Sequence, residues 1–163
     1  MNEFILTHES VKIPYSGPLY SVNEGHTAMF NDNVQKMLKE LKVCEGRTCV
    51  HSGLLTLLTS VSAHLTSLNT RPIQAQPALD GRKRQLRYIG SMVPDIHRTI
   101  MFGGVYMYPT HTDKPSGRFK LLYEASPLAF LVEQAGGQAT DGAAPILDII
   151  PSSVHHRLPV VLG

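Results

Sequence analysis

The sequence predicts an α/β domain in which a layered sheet carries helices on both faces. Short apolar runs typical of buried strands alternate with segments whose apolar residues recur at helical spacing. A Gly-Gly pair follows two of these helical segments, and glycine is the residue that most often ends a helix. The 163 residues, 42% of them hydrophobic, suit one domain with one core. We therefore treat residues 1–163 as a single domain.

The first forty residues predict two strands and a helix. Apolar runs at residues 4–7 and 19–22 indicate strands, and the Pro-rich and Gly-containing stretch between them indicates a turn. A helix is expected to begin at Asn31 or Asp32, because either side chain can cap it. Its apolar face consists of residues at helical spacing: Val34, Met37, Leu38 and Leu41.

Residues 44–85 interrupt this pattern. They are rich in Ser, Thr and Leu, and then in Arg, Pro and Gln. Leucines recur at helical spacing in the first part, but the Ser and Thr residues between them are poor helix formers. We expect an insertion or a linker here.

Regular patterning returns near residue 86. Ser91 is expected to cap a helix that has Pro94 in its first turn, where a missing N–H costs little. Its apolar face is predicted to hold Val93, Ile96, His97 and Ile100, with His97 a hydrogen-bonded core residue. A strand should follow at residues 105–108.

The last forty-five residues predict further strands and one helix. Strands are expected at residues 119–124, 138–140, 146–150 and 159–162. Ser126 followed by Pro127 is a typical helix start, with a cap and then Pro at the first position. The buried face of this helix is predicted to comprise Leu128, Leu131, Val132 and Ala135.

Charge and composition exclude several classes of function. A net charge of +2 is too small and too scattered for a nucleic-acid-binding protein, although it suits anionic small molecules. The two cysteines lack the spacing of a zinc site. We find neither a secretory signal nor an apolar stretch long enough to cross a bilayer, so we expect a cytoplasmic protein with no membrane partner.

Several motifs follow one another in a fixed order. They read LYSVNEG at 19–25, RYIGSMV at 87–93, DIHRT at 95–99, GGVYMYP at 103–109, LLYE at 121–124, EQAGG at 133–137 and LDIIP at 147–151. Together they resemble the C-terminal half of class I fructose-1,6-bisphosphatase. Most of the stretch at 44–85 has no counterpart in that family.

The resemblance implies a hydrolase that removes the 1-phosphate of fructose 1,6-bisphosphate with Mg²⁺, in a homo-oligomer that is usually a tetramer. The AMP-binding helices and the acidic Asp-Pro-Leu-Asp-Gly-type metal motif of the family are expected to lie upstream of the part that this chain matches. Two alternatives stay open. The chain could be a catalytically incompetent sugar-phosphate-binding or assembly module, or it could be a relative of sedoheptulose-1,7-bisphosphatase.

The resemblance also assigns roles to residues of this chain. Glu124 matches the family's metal-binding and catalytic glutamate, and a hard carboxylate oxygen is a ligand that Mg²⁺ prefers. Asn23, Tyr88 and Tyr108 are implied to hydrogen-bond the 6-phosphate. Arg87 is implied to reach the 6-phosphate site of a neighbouring subunit, where its guanidinium can bind phosphate with two hydrogen bonds.

Further substrate-binding residues follow from the same match. Gly90, Ser91 and Met92 are implied to approach the sugar ring. Arg118 and Lys120 stand where the family usually has Lys and Arg, so the charge is kept while the geometry changes. His26 stands where a tyrosine is usual, and its ring can still donate a hydrogen bond.

Overall fold

The computed structural model describes residues 5–42 and 84–163. Nearly all of the predicted insertion or linker at 44–85 lies outside the described residues. The described strands are β1 (Leu19–Ser21), β2 (Gln85–Leu86), β3 (Val105–Tyr108), β4 (Phe119–Lys120), β5 (Ala139–Thr140), β6 (Arg157–Leu158) and β7 (Val160–Leu162). The helices are α1 (Asp32–Lys42), α2 (Met92–Phe102) and α3 (Ser126–Gln134).

Five of the described strands form a mixed sheet in the order β2-β1-β3-β7-β5. β1 pairs in parallel with both β2 and β3, whereas β7 is antiparallel to β3 and β5. β4 and β6 form a separate antiparallel ribbon. Gly104, with φ +110°, lets β3 approach β1, because a Cβ there would lie 2.1 Å from the carbonyl oxygen of Leu19.

The sheet is covered on both faces, as the sequence predicts. Successive side chains of a strand point to opposite faces. Along β3, Tyr106 and Tyr108 pack into a core with α2 and α3, while Met107 packs into a second core with α1. This confirms an α/β layered fold, with its core divided between the two faces of the sheet.

The cap of α1 confirms one of the two predicted starting residues. The side-chain oxygen of Asn31 accepts a hydrogen bond from the backbone N–H of Val34 at 2.9 Å. Val34, Met37 and Leu38 are buried, as their spacing predicts. α2 begins after Ser91 and ends at Gly103, although the Ser91 side chain makes no capping hydrogen bond.

The predicted apolar face of α2 is partly wrong. Val93 and His97 are exposed, whereas Asp95 and Thr99 are buried beside Ile96. Asp95 can be buried because it forms an ion pair with Arg98. His97 is therefore a surface residue and not a core residue.

The predicted strand at 119–124 stops after Lys120. The chain then forms a π-helical turn, Leu121–Ala125, which runs directly into α3. Ser126 has helical dihedral angles (φ −63°, ψ −44°), so it does not cap the helix as predicted. In α3 the expected core residue Leu131 is 54% exposed, while Ala129 and Val132 are buried.

Two other predicted strands are absent from the described residues. Residues 5–7 are exposed and form no regular element. Residues 146–148 form a 3₁₀ turn, in which the Asp148 and Ile149 amides donate to the carbonyls of Pro145 and Ile146. Because those amides bond locally, they are not available to a neighbouring strand. Strands β2 and β6, each of two residues, were not predicted. No helix among the described residues has the length and apolarity to span a membrane.

Candidate sugar-phosphate site

The carboxyl ends of β1 and β3 meet at one edge of the sheet. These parallel strands pair Tyr20 with Val105 and Ser21 with Tyr106, so the loops that follow them are neighbours. The two loops touch through histidines: the ring centroids of His26 and His111 lie 4.8 Å apart. Ligands of α/β proteins bind outside the carboxyl ends of the strands, so this edge is the candidate site.

Asn23 connects β1 to a 3₁₀ turn, Glu24–Met29. Its Oδ1 accepts the backbone N–H of Gly25 at 3.1 Å and so caps the turn. Its Nδ2 lies 3.5 Å from Nε2 of His26. The cap fixes the side-chain rotamer, so that the amide NH₂ group faces the histidine pair.

The histidine pair carries unused hydrogen-bonding capacity. His111 is buried, and the Nδ1 atoms of His26 and His111 have no hydrogen-bond partner within residues 5–42 and 84–163. Buried polar atoms without a partner are rare and often mark sites where a ligand or water belongs. His111 also lines an open pocket of about 280 Å³ together with residues 28–31, 110, 112 and 115. No pattern in the sequence singles out His111.

A second group of donors surrounds the end of β3. Nη1 of Arg118 donates to the phenol oxygen of Tyr108 at 3.1 Å, and the guanidinium carbon lies 5.7 Å from the centre of that ring. Tyr108 is buried, with Phe119 packed edge-on at a centroid distance of 5.3 Å. The bond to Tyr108 is the main cause that raises the pKa of Arg118 above its ordinary value.

Tyr88 belongs to the same group. Burial raises the pKa of its phenol, and the nearby Tyr108 and Asp95 raise it further, while Arg118 acts in the opposite direction. A raised pKa keeps this phenol protonated near neutral pH. Tyr88 is therefore a neutral hydrogen-bond donor that packs against the same core as Tyr108.

Glu124 occupies the π-helical turn that follows β4. Its Oε2 accepts the backbone N–H of Lys120 at 2.7 Å, and its Oε1 lies 3.4 Å from Nζ of Lys120. The Lys120 ammonium also lies 5.6 Å from the centre of the Tyr123 ring. Arg118 and Lys120 flank Phe119, and the turn begins at Leu121, three residues after the arginine that contacts Tyr108.

The turn does not contain a complete metal site. In the described part of the chain, no three His, Cys, Asp or Glu side chains are grouped so that they could hold a metal ion. Mg²⁺ requires about six oxygen ligands. Glu124 can supply one of them, so these residues fit a contribution to a magnesium site and not a whole one.

The comparisons with known proteins agree with this fold. The family model described as "Fructose-1-6-bisphosphatase, C-terminal domain" matches residues 13–163. The chain belongs to the fructose-1,6-bisphosphatase family. Its relatives include the class 1 fructose-1,6-bisphosphatase of Chlorobium luteolum, which is 42% identical over 163 residues covering 100% of this chain and 39% of that protein.

Other fructose-1,6-bisphosphatases match over nearly the whole chain. The cytosolic protein of Brassica napus is 37% identical over 100% of this chain and 38% of its own length. A crystal structure of Leishmania major fructose-1,6-bisphosphatase in holo form matches with a TM-score of 0.73 and 34% identity, over 98% of this chain and 39% of that one. The chain thus spans about two fifths of the length of these relatives.

The structure brings together some of the residues that the fructose-1,6-bisphosphatase resemblance names. Asn23 lies beside His26, Tyr108 and Tyr88 lie near Arg118, and Lys120 contacts Glu124. Arg87 is exposed at the edge strand, and its guanidinium donates to the carbonyl oxygen of Leu86 at 3.0 Å and to Oε1 of Gln85 at 2.9 Å. It points along β2 and makes no contact with these groups in the structure.

The residues expected at the sugar ring lie between Tyr88 and α2. Gly90 has φ +83°, a value that L side chains rarely adopt, and so turns the chain into the helix. Ser91 is exposed, and Met92 packs against the same core as Tyr88. Their substrate contacts stay predictions.

Proposed function

We propose that this chain is the sugar-phosphate-binding part of an enzyme that converts fructose 1,6-bisphosphate to fructose 6-phosphate by removing the 1-phosphate. The observation that carries the proposal is the group formed by Tyr88, Tyr108 and Arg118 at the end of β3, in a chain of the fructose-1,6-bisphosphatase family. A cation beside two phenols can hold a phosphate ester without relying on charge alone.

Each donor of this edge has a defined task in the proposal. A guanidinium carries five N–H donors, so the bond from Arg118 to Tyr108 leaves donors for phosphate oxygens. Tyr88 remains protonated and donates through its hydroxyl. Asn23 offers its amide NH₂, and His26 offers a ring nitrogen, from the adjacent loop. Lys120 adds a second positive charge beside Glu124.

The sugar ring would lie over the turn made by Gly90, Ser91 and Met92. The backbone N–H groups at the start of α2 have no partners within the helix and are available to hydroxyl groups of the sugar. Arg87 is exposed at the edge strand, and its guanidinium would exchange its bonds to Leu86 and Gln85 for a phosphate bound by a neighbouring copy. We therefore propose a homo-oligomer, a tetramer as the resemblance implies, in which copies share Arg87.

We propose Mg²⁺ as the cofactor and Glu124 as the catalytic residue that contributes one ligand to it. Bound Mg²⁺ would polarise the phosphoryl group that is transferred to water. For that role Oε1 of Glu124, which lies 3.4 Å from the Lys120 ammonium, would turn to the metal while Oε2 keeps the Lys120 N–H, and the other ligands would come from outside the described residues.

A second candidate function is sugar-phosphate binding or subunit assembly without turnover. The single carboxylate at the π-helical turn favours it, because one ligand cannot hold a magnesium cluster. A sedoheptulose-bisphosphatase activity is the remaining alternative for the substrate.

We place the protein in the cytoplasm; its relatives include proteins named as cytosolic and as chloroplastic.

The test separates binding from chemistry. Fructose 6-phosphate is titrated into the chain by calorimetry, with fructose as the control ligand and sedoheptulose 7-phosphate as the competitor. Phosphate release from fructose 1,6-bisphosphate is then followed with excess Mg²⁺. We expect saturable binding of fructose 6-phosphate, no binding of fructose, and phosphate release at the background rate. Failure to bind fructose 6-phosphate would contradict the proposal, and ordinary enzymatic turnover would exclude the second candidate.

A further inference from the structure

Asp95 and Arg98 lie outside the proposed phosphate contacts but hold the segment that carries Tyr88. The Asp95 side chain is fully buried, and that of Arg98 is 19% exposed. A buried carboxylate is costly unless it is paired and hydrogen-bonded. Asp95 meets both conditions, since it forms an ion pair with Arg98 and accepts the backbone N–H of Ile89 with Oδ1 at 3.2 Å and Oδ2 at 3.1 Å.

The same pair fixes the backbone on both sides of Tyr88. Nη2 of Arg98 donates to the carbonyl oxygen of Arg87, which belongs to the peptide group before Tyr88. Asp95 holds the N–H of Ile89, which belongs to the peptide group after it. When both peptide planes are fixed, the φ and ψ angles of Tyr88 are fixed as well. The N–H of Arg87 is tied to the carbonyl of Tyr20 at 2.9 Å, so the segment is also anchored to β1.

We propose that Asp95 and Arg98 are positioning residues that set the direction of the Tyr88 side chain toward the phosphate. The proposal rests on the function proposed above. Tyr88 carries its hydroxyl at the end of a long, rigid side chain, so a small rotation of its backbone moves the oxygen beyond hydrogen-bonding distance of a fixed ligand. Burying an ion pair in the first turns of α2 prevents that rotation.

The position of the pair supports this role over a merely structural one. A buried ion pair is weak evidence for stability, because apolar side chains of similar volume often stabilise a core equally well. Here both members bond to the backbone on either side of Tyr88, where Arg87 and Ile89 are exposed and only the Tyr88 side chain packs against the core. The pair thus orders the two exposed residues that flank Tyr88.

The principal variant is Asp95→Asn, which keeps the shape of the side chain and one acceptor but removes the ion pair. We expect the affinity for fructose 6-phosphate, measured by calorimetry on the full chain, to fall roughly tenfold, the effect of losing one good hydrogen bond to a charged ligand. Arg98→Lys keeps the charge without the planar fork and should lose less affinity than Arg98→Met.

Thr99→Val is the matched control, since Thr99 is buried in the same helix and bonds only within it. Its affinity should equal that of the unmodified chain.

A double-mutant cycle distinguishes positioning from a general loss of structure. If Asp95 acts through Tyr88, Asp95→Asn should cause little further loss of affinity in a chain that already carries Tyr88→Phe. Additive losses in the cycle would overturn the proposal. If Asp95→Asn does not fold, the same cycle is run with Arg98→Lys.

Hydrogen exchange separates this proposal from the proposed function. The Ile89 amide should be protected in the unmodified chain and lose protection in Asp95→Asn, while the Met107 amide in β3 keeps its protection. An unprotected Ile89 amide in the unmodified chain would overturn the positioning role, whatever the chain binds. A protected Ile89 amide in a chain that binds no fructose 6-phosphate would instead refute the proposed function, and the positioning role with it.

Discussion

The end of β3 and the π-helical turn after β4 lie close together but are built differently. At the end of β3, Tyr88, Tyr108 and Arg118 come from separate elements and converge, with donors left for a ligand. In the turn, the carboxylate of Glu124 bonds to the backbone and side chain of Lys120, only four residues away. The first region is assembled by the fold, whereas the second is a local arrangement that needs partners from elsewhere to become a metal site.

Under the proposed function, this contrast predicts that binding and chemistry are separable in this chain. The donors proposed for a sugar phosphate lie in a chain that covers 39% of its Chlorobium luteolum relative. A full set of metal ligands is not present within residues 5–42 and 84–163. A chain of this kind is expected to recognise its product without turning over its substrate.

The largest expected effect comes from removing the cation at the end of β3. Arg118→Met should weaken fructose 6-phosphate binding by roughly 10- to 100-fold, because hydrogen bonds to charged groups contribute about 1.5–3 kcal/mol. Glu124→Gln should change the affinity less than about twofold, since its amide oxygen can still accept the Lys120 N–H. Calorimetric titrations of both variants test the comparison. Equal losses in the two variants would show that the regions do not act separately.

A smaller effect concerns how two of the helices begin: α1 with a side-chain cap, and α3 by continuing the π-helical turn. Asn31→Ala should lower the free energy of unfolding by about 1 kcal/mol, because it removes a capping hydrogen bond of α1. Ser126→Ala should leave it nearly unchanged, because the π-helical turn makes Ser126 an interior helical residue. Urea denaturation measures the free energy of unfolding of both variants. A loss of about 1 kcal/mol in Ser126→Ala would mean that the helix starts at Ser126 and that the π-helical turn does not form.

The smallest expected effect is the pH dependence of the Asn23 loop. Burial alone would raise the pKa of Glu24, but hydrogen bonds from Lys42 and Tyr20 outweigh it and hold the pKa below its ordinary value. A lowered pKa in the folded state means that the stabilisation is present above the unfolded value, near 4.5, and is lost as the pH falls through the folded value. The effect should be under about 1 kcal/mol, because the pair is partly exposed.

Urea denaturation between neutral pH and pH 3, with Glu24→Gln as the variant, measures this contribution. The unmodified chain should lose more stability on acidification than the variant. Parallel pH profiles would show that the Glu24 interactions do not contribute to folding. Lys42→Met provides the matched control, since it removes the other side of the same ion pair.

The sequence predicts the sheet and the candidate site to different degrees. The structure confirms three predicted strands, at 19–22, 105–108 and 159–162, and the helices after Asn31 and Ser91. These elements could be predicted because periodic burial determines the spacing of apolar residues in the sequence. The strand predicted at 119–124 is wrong beyond Lys120. Its apolar residues suit either a strand or a buried helical turn, and only tertiary contacts decide between them.

Two residues near the site could not be predicted from the sequence, because their environment also depends on tertiary contacts. His111 contacts His26 only because two strands run in parallel, and no spacing in the sequence carries that information. Asp95 looks like an ordinary first-turn acidic residue, yet its ion pair with Arg98 allows it to replace His97 in the core. Polar residues that are buried by pairing contradict the apolar pattern on which such predictions depend.

The most direct test of the central claim is a titration of the ¹³C-labelled tyrosine rings with fructose 6-phosphate, followed by nuclear magnetic resonance. Tyr108 ends β3, Tyr88 lies between β2 and α2 and packs against the same core, and Tyr123 lies in the π-helical turn. If donors at the end of β3 bind the phosphate, the ring signals of Tyr88 and Tyr108 will shift with a common dissociation constant and by more than those of Tyr123. Shifts confined to Tyr123, or shifts of Tyr88 and Tyr108 with different dissociation constants, would contradict the account.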